Sequence, residues 1–67
     1  MELSVNGEKQ QLPQTALSVT DLLIHFDAQQ RKAAVAVNGQ FVPKSEHDTT
    51  QLQTGDTVEI VSPMQGG

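Results

Sequence analysis

The stretch that decides the fold is residues 17–26, LSVTDLLIHF. Within it Val19, Leu22, Leu23 and Phe26 fall at i, i+3, i+4 and i+7, a single apolar stripe at helical period. Its beginning is marked chemically. Ser18 is placed to cap the free amides, Asp21 to return the bond and to favour the positive helix end, and Leu17 to staple onto Leu22. Removing the Ser18 hydroxyl should cost ~1 kcal/mol. Arg31 and Lys32 stand near where the helix or its following loop ends, a favourable place for positive charge. The expectation is one amphipathic helix covering one face of a sheet.

Strand signals lie on both sides of it. In residues 2–12, Leu3 and Val5 alternate with polar neighbours and Asn6-Gly7 supplies what a type I′ turn requires. A two-residue loop there pairs Val5 with Glu8, Leu3 with Gln10 and Met1 with Leu12, which puts Met1, Leu3, Val5 and Leu12 on one face. Pro13 then breaks the ladder. Residues 33–43, AAVAVNGQFVP, repeat the signal around Asn38-Gly39: Val37 pairs with Gln40, Ala36 with Phe41 and Val35 with Val42. Val35, Val37 and Val42 face the helix, and Ala36 and Phe41 point outward. Residues 44–53, KSEHDTTQLQ, read as a polar loop with room for one helical turn and one apolar anchor, Leu52. Thr54-Gly55-Asp56 is a turn signal, and TVEIVS (57–62) alternates Val58 and Ile60 inward with Glu59 and Val61 outward.

The order is therefore strand, strand, helix, strand, strand, strand. Two antiparallel hairpins are joined by the helix as crossover, and the last strand fills the centre by pairing with the first. That is an α+β, β-grasp (ubiquitin-like) arrangement: a mixed sheet with one main helix packed on one face. It occupies residues 1–62 and leaves 63–67 as a flexible tail.

Composition narrows the function. A chain of 67 residues, 36% of them apolar, has one small core and little to spare for a deep pocket. With no cysteine there is neither a disulfide nor a thiolate metal site, which favours a cytoplasmic location. No apolar run approaches the ~20 residues of a membrane helix, and MELSVNGEKQ lacks the apolar segment of a signal peptide. Four basic residues against eight acidic ones give a net charge of −4, and Lys9, Arg31, Lys32 and Lys44 are scattered. Nucleic acid is a poor partner for such a surface. A protein with a basic docking surface suits it better.

The chemistry concentrates at SPMQGG (62–67). Fully extended, that stretch reaches ~20 Å at ~3.3–3.6 Å per residue. Gly66 and Gly67, without Cβ atoms, fit a slot too narrow for side chains and leave the terminal carboxyl open to attack. A chance pair of glycines at a frayed end reads as blandly as it does often. A carboxylate at neutral pH transfers nothing until it is activated, and no Walker loop or GxGxxG stands in this chain to hold ATP, so a partner must supply that site.

Other candidates read as structure. His25 and His47 lack metal-ligand spacing and are assigned to the surface or a helix flank, so no metal site is expected. Glu46 and Asp48 beside His47 read as a solvated turn, and Ser62 as a strand end with no base to activate it. No catalytic side chain is expected. Ala34, Ala36, Phe41 and Val61, with the apolar Met64 beyond them, form a candidate docking patch on the sheet face opposite the helix. The alternative is that Phe41 turns inward on a longer loop.

The runs AVAVNGQFVPKSE (34–46) and LQTGDTVEIV (52–61), the helix motif LSVTDLL and the closing Gly66-Gly67 resemble the ThiS family of thiamine-biosynthesis sulfur carriers over essentially the whole chain. Gly-Asp before the last strand and the Gly-Gly end recur across β-grasp carriers; Val-Asn-Gly-x-x-Val-Pro (37–43) and the shortness point to the thiamine branch. Met64 departs from the β-branched residues common at its position. The small subunit of molybdopterin synthase is the nearest rival, usually longer and with an aromatic-rich first strand. A ubiquitin-like protein modifier is the other alternative.

The resemblance implies a protein co-substrate rather than an enzyme. The Gly67 carboxylate would attack ATP in an adenylyltransferase resembling ubiquitin-activating enzymes, sulfur from a persulfide donor protein would displace AMP, and the Gly67 thiocarboxylate would deliver sulfur to thiazole synthase. Gly66 and Gly67 would thread both active sites. ATP and magnesium would belong to the adenylating partner, with no cofactor bound by this chain.

Overall fold

Asn6 and Gly7 take positive φ (51° and 86°), as do Asn38 and Gly39 (53° and 82°), the backbone that a two-residue type I′ hairpin demands. The computed structural model that shows this describes residues 1–26 and 33–61. The first turn joins β1 (Glu2–Val5) to β2 (Glu8–Gln11), with Val5 opposite Glu8 and Leu3 opposite Gln10. The second joins β4 (Ala34–Val37) to β5 (Gln40–Val42), with Ala36 opposite Phe41 and Val35 opposite Val42. Both registers are those expected from the sequence.

Between the hairpins come β3 (Leu17–Ser18) and α1 (Val19–His25). The helix start closes as a capping box: the Asp21 amide donates to Ser18 Oγ at 3.0 Å, and the Ser18 amide donates to Asp21 Oδ2 at 3.1 Å. Its other free amides are also satisfied, since Val19 N–H donates to the Thr50 carbonyl (3.0 Å) and Thr20 N–H to that of His47 (3.1 Å). Those acceptors come from the segment after β5, which makes a 3-10 turn at Lys44–Glu46 and then β6 (Gln51–Leu52). β6 pairs antiparallel with β3, Leu17 opposite Leu52. This small second sheet straps the polar loop across the helix entrance. The sequence offers only Leu52 as its anchor, because a two-residue strand has no periodicity to read.

β7 (Thr57–Val61) enters the middle of the main sheet, whose order is β2-β1-β7-β4-β5. It runs parallel to β1 and antiparallel to β4. Gly55, at φ 92°, and Asp56 shape the turn into it: Gly55 N–H donates to the Glu2 carbonyl (2.7 Å), and Asp56 Oδ2 accepts from the Gln53 amide (2.8 Å). Leu3, Val5, Val35, Val42 and Val58 form the buried floor, and Val19, Leu22 and Leu23 of the helix close over it with Leu17 and Leu52. Phe26 packs against the margin of this core.

Two expectations change. His47, assigned to the surface or a helix flank, does flank the 3-10 turn but is only 7% exposed. Its Nε2–H donates to the Val42 carbonyl at 3.1 Å while its own carbonyl receives the Thr20 amide. The imidazole thus pins the turn beneath the end of β5, and burial is tolerable because the ring has a partner. The second change is the extra strand pair β3–β6. His25 does lie exposed on the helix flank, its ring edge-on to Phe26 with centroids 4.9 Å apart. Arg31, Lys32, Ser62, Met64, Gly66 and Gly67, and with them the tail assigned to 63–67, lie outside the described residues. Among the described residues no helix is long and apolar enough to cross a membrane.

Candidate functional site

The alternation of β4, β5 and β7 that buries Val35, Val42 and Val58 must turn their neighbours to the other face. Phe41 is 67% exposed and Val61 63%. Ala34 is exposed and Ala36 half-buried. The register brings these residues together, because Val61 lies opposite Ala34, and Ala36 lies between Phe41 on one side and Glu59 on the other. An apolar strip thus crosses three strands on the face away from the helix and reaches the last described residue of β7. Phe41 points outward on a two-residue turn; the inward alternative is excluded by its exposure and by the φ values of Asn38 and Gly39. Met64, assigned to the same patch, is outside the described residues.

β7 lies between β1 and β4, and both neighbours hold its described end. Val61 pairs with Ala34 on the β4 side. On the β1 side Asn6 takes part through its side chain: Oδ1 accepts from the Ile60 amide at 2.8 Å, and Nδ2 donates to the Ile60 carbonyl at 3.2 Å. From the sequence Asn6 is expected only as a turn residue. Nothing in an Asn-Gly pair distinguishes a turn asparagine that also binds a third strand; that depends on which strand arrives beside it.

The rest of the described surface holds little that could do chemistry. A groove beside the helix is lined by Gln14, Ala16, Leu17, Asp21, Ile24 and His25. Its carboxylate is already engaged by the Ser18 amide. The helix N-terminus is not an anion site, since its amides are bonded to Thr50, His47 and Ser18. Glu46 and Asp48 are exposed, as a solvated turn would have them, and Asp48 accepts from the Thr20 hydroxyl. Among the described residues no three His, Asp or Glu side chains come together to hold a metal ion. The feature left is an apolar sheet face that reaches Val61, the described end of the central strand.

A mixed five-stranded sheet with a parallel central pair, crossed on one face by one helix, defines a β-grasp domain of the ubiquitin-like class. Within that class, the model of the ThiS family matches residues 2–67, and the chain belongs to the ThiS family. A crystal structure of the thiamine biosynthesis protein (ThiS) from Geobacter metallireducens is similar to it at TM-score 0.85 and 33% identity, covering 100% of both chains. A solution structure of a thiamine biosynthesis protein from the same organism gives TM-score 0.83 and 35% identity over 100% of this chain and 88% of that one. The chain is also 36% identical over 67 residues to a protein of Paramagnetospirillum magneticum named thiazole synthase; it spans only 20% of that protein's length.

Proposed function

We propose that this protein is a sulfur carrier of thiamine biosynthesis, acting in the cytoplasm as a co-substrate of partner enzymes. The observation that carries the reading is the family match, which extends through Gly67 on a fold already fixed by its strand order. In the reaction, a Gly67 carboxylate oxygen attacks the α-phosphorus of ATP in an adenylyltransferase resembling ubiquitin-activating enzymes, and pyrophosphate leaves. A carboxylate oxygen is a poor leaving group; the acyl-adenylate supplies a good one. The terminal sulfur of a persulfide donor then attacks the acyl carbon and displaces AMP, and a second thiol opens the S–S bond to leave a thiocarboxylate. ATP and magnesium stay with the partner.

Thiazole synthase is the proposed recipient of the sulfur. The likeness of this chain to part of a longer protein bearing that name supports the pairing. The strip of Ala34, Ala36, Phe41 and Val61, together with Met64, is the proposed docking surface, while Gly66 and Gly67 enter the active sites. A chain without cysteine offers no competing thiol.

The test is intact-mass analysis of the protein after incubation with ATP, the adenylating enzyme of its host and a persulfide donor. A species heavier by one sulfur-for-oxygen exchange is expected, and a variant with one alanine appended after Gly67 should stay folded and unmodified. Adenylation of the extended variant, or an isopeptide remnant on lysines of other proteins, would overturn the reading in favour of a different chemistry.

A further inference from the structure

Both turn asparagines reach beyond their own hairpins to the central strand, at opposite ends. Asn38 meets its beginning: its amide donates to the Thr57 carbonyl at 2.7 Å, its Oδ1 accepts from the Thr57 amide at 3.0 Å, and its Nδ2 donates to Asp56 Oδ1 at 3.0 Å. Asn6 follows it toward the other end, from Val58 to Ile60. Its amide donates to the Val58 carbonyl at 2.9 Å, and its side chain exchanges two hydrogen bonds with the main chain of Ile60. β1 pairs with β7 through Ser4 and Val5, then turns away at Asn6-Gly7. A strand running straight on would offer Ile60 a main-chain carbonyl and, further along, an amide. The Asn6 carboxamide carries the same acceptor and donor, and so extends the parallel ladder past the turn.

We propose that Asn6 is a positioning residue for the chemistry of the chain end, fixing the described end of β7, Ile60–Val61, to which the reactive glycines are joined in sequence. The assignment rests on the sulfur-carrier reading. Ile60 is the last described residue of β7 bonded on the β1 side, through both of its main-chain groups to the Asn6 side chain, and it lies opposite Val35 of β4. Release of the Asn6 bonds leaves the final residues of β7 attached along the β4 edge only, free to swing about it. A glycine at position 6 would accept the positive φ equally well. It has no side-chain carboxamide to offer Ile60.

Kinetics separate positioning from stability, because docking through the sheet face and entry of the chain end are distinct events. In ATP–pyrophosphate exchange by the host's adenylating enzyme, with this protein as varied substrate, Asn6→Gly should lower kcat about threefold to tenfold, the range for losing bonds of this kind. KM should hardly move. Asn38→Gly removes the matching bonds at the start of the strand and should leave kcat unchanged at a similar cost in stability. By NMR, amide exchange of Ile60 should accelerate in Asn6→Gly and not in Asn38→Gly.

Equal kcat in the two glycine variants, or an Ile60 amide that exchanges no faster in Asn6→Gly, overturns the assignment alone. Absence of exchange activity with the unaltered protein overturns the sulfur-carrier reading and this assignment with it. If Asn6→Gly does not fold, Asn6→Asp keeps the acceptor and lacks the donor; a kcat equal to that of the unaltered protein would then count against Asn6.

Discussion

Ser18 and His47 hold the entrance of the helix from its two sides, one by capping its amides directly and the other by carrying a carbonyl to Thr20. Substituting Ser18→Ala should cost about 1 kcal/mol, read as a lower urea midpoint at unchanged slope. That is a sizeable part of the roughly 3–10 kcal/mol that a domain of this size has in total. The cap was legible because its spacing is local: serine, then an acidic residue at the third helical position, before an apolar run. His47 was not. Its neighbours Glu46 and Asp48 are exposed, and only the fold of the turn brings its ring under Val42. No run of polar residues announces which of its members will be buried.

Hairpins and helix followed from the sequence because each is specified by contiguous residues. Asn-Gly fixes loop length, loop length fixes register, and register assigns every side chain a face. The β3–β6 pair escapes such reasoning, as its two strands join segments far apart in the chain and contain two residues each. Leu17, read as a staple onto Leu22, and Leu52, read as an isolated anchor, are opposite one another across that pair. Leu52→Ala should therefore cost more than a lost surface contact, about 2–5 kcal/mol by the rule for buried leucines. Hydrogen exchange offers the check at element scale: the Val19 and Thr20 amides, which donate to the strapped segment, should lose protection along with the Gln51 region. A cost below 1 kcal/mol with those amides still protected would mean that the strap is held by His47 instead.

At the scale of the whole molecule, one face of the sheet is spent on the core and the other is left apolar near its open end. Phe41→Asp should leave the thermal midpoint nearly unchanged, since the ring is mostly in water, while weakening binding to the proposed adenylating partner at least tenfold if this face is the docking surface. Unfolding of this variant, or undiminished binding, would remove the face from the docking model. The patch was legible once the Asn38-Gly39 turn set the register of β4 and β5. The role of Asn6 was not, because it involves a strand more than 50 residues away along the chain, Ile60 at a separation of 54.

The union of first and last strands also bears on synthesis. β1 leaves the ribosome early, yet the place beside it stays vacant until Thr57–Val61 is made. A product stalled or clipped before Thr57 lacks the plank that joins its two hairpins, and such chains are the ones proteases clear. Completion of the sheet thus waits for Thr57–Val61, the strand that joins its two hairpins.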